Sequence, residues 1–333
     1  MTAERVPVGG PWFEDLHVGQ VFDDAPALTL TTGHTALHAA LFGDRLRMAL
    51  DCELSAVVTG RSEPLVHPNL VCNVAIGQTT TLTQRVLANL FYRGLVLLQP
   101  VFVGDTLRTT TEVAGLKQNT ARPGKPASGL VALAIRVENQ RGEVVLDFWR
   151  CPMLPLRDQD VVTGHADSFD FIEAELDPAA LEAAVPAAWR LDDYRSRVPS
   201  PPAPVVPSSY EVEGRDTVTS APELARATLN LAAVHTDAGA STFGRRLVYG
   251  GHTISLAGAH VTRAFPDLVT IIGWRSCEHT GPVFEGDVLR TTVVVEGLRS
   301  LATGARLVDL RARVHRMDED VLVLDWHLVG VLP

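Results

Sequence analysis

The sequence predicts an α+β protein made of two tandem copies of one unit, each a single helix followed by a run of mostly antiparallel strands. Three observations carry this. Pro100 to Thr110 reads PVFVGDTLRTT and Pro282 to Thr292 reads PVFEGDVLRTT, two differences at an offset of 182. A second echo follows each segment, Val145-Leu146-Asp147-Phe148-Trp149 against Val323-Leu324-Asp325-Trp326, and a weaker one precedes each, Leu65-Val66 then Pro68-Asn69 against Leu247-Val248 then Gly250-Gly251. Echoes in the same order at a nearly constant offset are the mark of a duplicated domain.

In the first copy, taken as 10–157, the stretches LVLLQPVFVGDTLRTTTEVAGL, GLVALAIRVENQ and EVVLDFWRCPML are rich in Val, Leu, Thr and aromatics and are bounded by turn residues, as strands are. The second copy, 210–333, repeats them as DVLRTTVVVEGL, ARLVDLRARVHRM and VLVLDWHLVGVL. Gly104-Asp105 and Gly286-Asp287 mark the turns that open the long strands. Ahead of them each copy has one helical stretch. In the second it is GHTISLAGAHVTRAF, where Ile254, Leu256, Ala257, Val261 and Phe265 keep to one face, with Gly250-Gly251 at its start and Pro266 beyond its end. The segment between, 158–209, is a linker: DPAALEAAVPAAWRLDDY allows a short helix and VPSPPAPVVPSS is extended.

The chain has 333 residues, 46% hydrophobic and 20% charged, enough for two cores of ordinary globular composition. No apolar run approaches the roughly 18 residues of a membrane helix. The opening MTAERVPVGGPWFEDL has no basic region followed by an apolar core, so the expectation is a cytoplasmic protein without a membrane partner. A net charge of -10 with no basic stripe argues against nucleic acid, and any anionic ligand must be held by local arginines. The four cysteines, Cys52, Cys72, Cys151 and Cys277, form no CxxC pair, so neither a zinc site nor a disulfide framework is expected and they read as buried small hydrophobes.

The chemistry concentrates in the second copy. Asn230 precedes His235 by five positions, and Gly250-Gly251 enter the helix. Together these residues offer a group that can activate a water, a group that can pass a proton and a donor for a developing oxyanion. His235 suits the first two tasks near neutral pH. Backbone N–H groups at a helix N-terminus suit the third. Asn230 can orient a water but cannot take a proton. Asp237 reads as a solvated or capping residue. Cys277-Glu278-His279 is a suggestive string, but neighbouring strand residues point to opposite faces, so it is not read as a Cys–His pair.

This pattern resembles the MaoC-like, (R)-specific enoyl-CoA hydratases, whose signature is an acidic residue, four residues, a histidine, and then a glycine entering the central helix. The resemblance implies a double hot-dog fold, each antiparallel sheet wrapped around its helix, and catalytic roles for His235, Asn230, Gly250 and Gly251. The departure is Asn230, where the family usually has Asp. In the first copy Asp44 aligns with Asn230, but Ala49 stands where the histidine should be and Pro68-Asn69 replace the glycines. That copy is expected to be catalytically degenerate and to help form the acyl pocket.

The stretches NLFYRGLVLLQPVFVGDTL and NLAAVHTDAGASTFGRRLVYGGHTISLA are most similar to the mesaconyl-CoA hydratases, or β-methylmalyl-CoA dehydratases, a branch that also has Asn before the His. The resemblance implies reversible hydration of a branched enoyl thioester that carries a carboxylate. Replacing Asp by Asn removes a like charge from beside such a substrate. No cofactor is implied, since CoA is part of the substrate. Arg245, Arg246 and His252 are candidates for substrate binding. Three alternatives stay open: a hydratase of another enoyl-CoA, a hot-dog thioesterase, and a non-catalytic acyl-CoA binding protein. The hot-dog helix of the second copy lacks the carboxylate that thioester hydrolysis typically uses. Homo-oligomerisation is also left open.

Overall fold

A computed structural model describes residues 4–6, 8–173 and 175–333. The first copy runs β1 (Val21–Phe22), β2 (Leu28–Thr29), α1 (Thr32–Phe42), α2 (Arg47–Leu50), α3 (Cys52–Thr59), α4 (Pro68–Gln78), β3 (Ala88–Leu97), β4 (Thr106–Gln118), β5 (Ser128–Glu138) and β6 (Val144–Pro155). Two short helices follow, α5 (Pro178–Ala183) and α6 (Leu191–Arg197). The second copy runs β7 (Ser208–Glu211), β8 (Asp216–Thr217), α7 (Ala221–Ala227), α8 (Gly250–Ala264), β9 (Thr270–His279), β10 (Val288–Ser300), β11 (Arg306–Arg316) and β12 (Val321–Leu332).

The repeat is visible element by element. The helices α4 and α8 begin 182 residues apart, and so do β3 and β9, and β4 and β10. One antiparallel sheet of 12 strands carries both copies in the order β1-β4-β5-β6-β3-β9-β12-β11-β10-β7. Its centre is the β3–β9 seam, where Tyr92 faces Cys277 and Leu95 faces Trp274. This is the tandem hot-dog, α+β arrangement that the sequence predicts.

Every residue of α4 is buried, and so is α8 from Gly251 to Thr262. A helix buried on all sides belongs in the middle of a core, wrapped by its sheet. The two helices touch at repeat-related residues: Asn73 Nδ2 donates to Ser255 Oγ at 2.9 Å. Between them Gly251 is forced, because a Cβ there would run into Asn73 Oδ1 and the Tyr249 ring.

The 158–209 segment does more than connect. Leu181, Val185, Leu191 and Tyr194 are buried with Val269, Ile272 and Val331, covering the outer face of the central strands. The Tyr194 hydroxyl also donates to the Leu268 carbonyl at 3.2 Å. Three cysteines are buried as expected, whereas Cys52 is exposed at the start of α3. Among the described residues, no helix is long and apolar enough to cross a membrane.

Candidate active site

A cavity of about 860 Å³ opens at the N-terminal end of α8 and is lined from both copies. The second copy contributes Asn230, His235, Tyr249, Gly250, Thr253 and His279. The first contributes Asn89, Tyr92, Arg150 and the β4–β5 hairpin from Lys117 to Ser128.

His235 ends the short 3-10 turn Ala233–His235 that follows α7. Its Nδ1 lies 2.8 Å from the Leu247 carbonyl oxygen. A carbonyl only accepts, so Nδ1 carries the proton and Nε2 keeps its lone pair. Burial lowers the imidazole pKa to about 4; the Leu247 bond opposes this and the Arg150 charge adds to it. The ring is therefore neutral at physiological pH, a base rather than a cation. Its centroid lies 5.5 Å from that of the Tyr249 ring.

Asn230 fixes the approach to this turn. Its Oδ1 accepts from the Ala232 N–H at 2.9 Å. Asp237, two residues past His235, accepts from the Gly239 N–H at 2.8 Å and caps the next turn.

The entry to α8 is uncapped. Tyr249 is the N-cap residue and makes no side-chain bond to the first amides; the first bond of the helix is His252 N–H to the Tyr249 carbonyl at 2.8 Å, which leaves the N–H groups of Gly250 and Gly251 ahead of it. Gly250 faces the cavity, and a Cβ there would stand 2.5 Å from His279 Nε2. The glycine thus brings bare backbone up to the cavity wall. Gly251, one position on, turns to the helix crossing instead.

Arg150 and His279 complete the polar wall, and neither was singled out from sequence as a site residue. His279 was set aside with the string Cys277-Glu278-His279, although residues two apart on a strand share a face. Burial, followed by the charge of Arg150, lowers the His279 pKa to about 4. Arg150 belongs to β6 of the first copy and is 4% exposed.

Residues 210–314 match the MaoC-like domain model. The mesaconyl-CoA hydratase of Cereibacter sphaeroides is 32% identical over 288 residues, covering 84% of this chain and 82% of the relative. The chain belongs to the MaoC-like dehydratase family. The β-methylmalyl-CoA dehydratase of Chloroflexus aurantiacus is 31% identical over 307 residues, covering 87% of this chain and 82% of the relative. Among solved structures, RV0216 of Mycobacterium tuberculosis, described as a double hot-dog fold, is 46% identical with a TM-score of 0.91, covering 98% of this chain and 99% of the other. A MaoC domain protein from Chloroflexus aurantiacus is 26% identical with a TM-score of 0.86, covering 100% and 99%. Membership makes the chain a hydro-lyase.

Three residues expected at the substrate of this MaoC-like enzyme lie elsewhere. His252 is buried, with its ring against Phe42 at 4.8 Å between centroids. Two helical residues turn it about 200° from Gly250, onto the opposite wall of α8. Arg245 lies over the Phe284 ring at 3.5 Å, and Arg246 pairs with Glu285. Neither lines the cavity, and the pairing of Arg246 occupies its charge within its own copy. The basic side chains at the cavity rim are instead Lys117, Arg122 and Lys125 of the first copy's hairpin.

The equivalent place in the first copy explains why one MaoC-like site is open and the other closed. Leu65, Val66, Pro68, Val71 and Leu97, the repeat partners of Leu247, Val248, Gly250, Thr253 and His279, line a void of only about 20 Å³. Ala184 and Trp189 of the linking segment pack into it. The helix entry there offers no free donor: Pro68 has no N–H, and His67 Nδ1 accepts from the Asn69 N–H at 3.0 Å.

Asp44 is the structural partner of Asn230. Its Oδ1 accepts from Leu46 N–H two residues on, and the next amide, of Arg45, donates to Thr262 Oγ1. In the second copy Leu231 N–H donates likewise to Thr80 Oγ1. Asp44 differs in facing His67 Nε2 at 3.1 Å. Burial works to raise its pKa, yet His67 and the Leu46 bond outweigh that and leave it lowered.

Proposed function

We propose that the protein catalyses reversible hydration of mesaconyl-CoA to β-methylmalyl-CoA at the second-copy cavity. The observation that carries this is the convergence on one cavity of a neutral His235 with a free Nε2 lone pair and the uncapped N–H of Gly250. The names of the two relatives, at 32% and 31% identity, support the substrate.

In the forward direction, His235 Nε2 takes a proton from water as the oxygen bonds to Cβ. The electron pair of the C=C moves to Cα and the thioester carbonyl, and the Gly250 N–H at the positive end of α8 stabilises the enolate oxygen. His235 then returns its proton to Cα, so one water is added and the base is restored. Asn230 does not exchange protons. It holds the turn that presents His235 and leaves the substrate's carboxylate without a like-charged neighbour at that position. Lys117, Arg122 and Lys125 hold the CoA phosphates at the rim.

The test is ultraviolet absorbance of purified protein mixed with mesaconyl-CoA, beside the His235→Ala variant. Loss of the conjugated-enoyl signal is expected in wild type, with a decrease in rate of at least 100-fold in the variant. A wild type that leaves the signal unchanged, or an equally active variant, rejects the proposal. Release of free thiol would instead favour a thioesterase.

A further inference from the structure

Arg150 is a buried cation whose charge nothing in its surroundings balances. Its Nε donates to Asn89 Oδ1 at 3.1 Å, and its Nη1 to Thr79 Oγ1 at 2.5 Å and Thr83 Oγ1 at 3.2 Å. All three acceptors are neutral. Among the described residues no carboxylate lies within ion-pairing distance of the guanidinium, whereas Arg316, also mostly buried, has both Asp318 and Glu319 at 2.7 Å. Desolvating a guanidinium costs several kcal/mol, and neutral oxygens recover only part of it.

The repeat supplies a control. Through the shared Val-Leu-Asp-aromatic run, Val145–Phe148 against Val323–Trp326, Arg150 aligns with Leu328, which is 1% exposed and belongs to the core. The fold at this strand position is therefore satisfied by leucine. The charge appears only in the copy whose strand faces the open cavity, beside His235 and His279. Both histidines are neutral there, and neither can act as its counter-ion.

We infer that Arg150 is the specificity-determining residue of the site: it receives a carboxylate carried on the acyl part of the substrate, beyond the reacting double bond. This rests on the reading of the cavity as an acyl-CoA site and selects dicarboxylic monothioesters over linear fatty-acyl ones. The first copy, without a catalytic histidine of its own, thereby sets the substrate class of the second. Pairing the guanidinium with a carboxylate also removes one of the two influences that weaken His235 as a base, so the correct substrate strengthens its own catalyst.

The test reads binding, so that it stands apart from whether hydration occurs. Succinyl-CoA and butyryl-CoA, saturated thioesters with and without a terminal carboxylate, are titrated calorimetrically into wild type and Arg150→Gln. Wild type should prefer succinyl-CoA at least tenfold, and the variant should lose that preference while binding butyryl-CoA at least as tightly relative to succinyl-CoA. No preference in wild type, or a preference that survives in the variant, overturns the inference. Should Arg150→Gln fail to fold, as judged by near-ultraviolet circular dichroism, the methyl ester of succinyl-CoA titrated into wild type replaces it. Neutralising the ligand's carboxylate must then cost at least tenfold, and a smaller loss counts against Arg150. Tenfold corresponds to about 1.4 kcal/mol. Failure of the hydratase reading would show separately, in the enoyl absorbance, with these affinities unaffected.

Discussion

Asn230 and Asp44 make the same turn with the same backbone bond, and they differ in charge. Asp44 faces His67 Nε2 at 3.1 Å, whereas the residue equivalent to His67 in the second copy is Tyr249, whose buried hydroxyl donates to the Asn73 carbonyl instead. A carboxylate at 230 would have Arg150 as the cation of the same cavity and would compete with a substrate carboxylate for it. At about 8 Å and an effective dielectric near 20, the repulsion between two such carboxylates is on the order of 2 kcal/mol. Asn230→Asp should therefore lower kcat/KM for mesaconyl-CoA at least tenfold relative to crotonyl-CoA. Steady-state rates on both thioesters decide it, and a relative gain for mesaconyl-CoA would refute the charge argument.

At the scale of elements, the two copies differ in the length of one hairpin. Between β4 and β5 the chain runs Asn119 to Ala127, while between β10 and β11 it needs only Leu301 to Ala305. The four extra residues lie in the stretch that holds Arg122 and Lys125, at the rim of the open cavity. Changing both to Glu should raise KM for mesaconyl-CoA by roughly tenfold or more, since the two proposed phosphate contacts would be reversed in sign. The corresponding pantetheine thioester, which lacks the nucleotide phosphates, should show little change. Equal effects on both would place the CoA phosphates elsewhere. Such features mark the boundary of what the sequence reveals. The repeat was legible because its strand-opening turns, Gly104-Asp105 and Gly286-Asp287, recur with their neighbours nearly unchanged. The entry of α8 was legible from Gly250-Gly251 and Pro266. The β3–β9 seam was harder to see, because a central strand buried on both faces, such as Thr270–Trp274, shows no alternation. Arg150 was out of reach for a related reason: the sequence places it on a strand of the first copy, and only strand order reveals that this strand walls the cavity of the second. Arg245 and Arg246 were chosen for charge alone, and Asp287 and Glu285, which hold them, are about forty residues further along the chain.

For the molecule as a whole, the consequence is acid lability at the junction of the copies. His38, His252, His235 and His279 lie on opposite sides of the paired helices α4 and α8, and burial is the first cause of a lowered pKa in all four: to about 4 in the last three, and well below the usual value in His38. In the unfolded chain each titrates near 6.5. Between these values the unfolded state binds the proton and the folded state does not, so stability rises with pH across the window and is lost as pH falls from 6.5 towards 4. Each histidine contributes up to about 1.4 kcal/mol per pH unit. Two groups oppose the trend: burial raises the carboxyl pKa of Asp147 and of Asp267, and each takes up a proton on folding above the usual carboxylate range. Asp44, lowered, acts only below that range. His260 and His315 are lowered by burial as well, so six imidazoles act against two carboxyls and the net effect is a loss of stability as pH falls below 6.5. The urea midpoint followed by circular dichroism should therefore fall steeply between pH 6.5 and pH 5, in one transition because the histidines belong to a junction shared by both copies. His252→Gln, which removes one of these protons without touching the cavity, should make that fall shallower by up to about 1.4 kcal/mol per pH unit. A midpoint constant from pH 7 to pH 5 would mean that these imidazoles reach solvent in the folded protein.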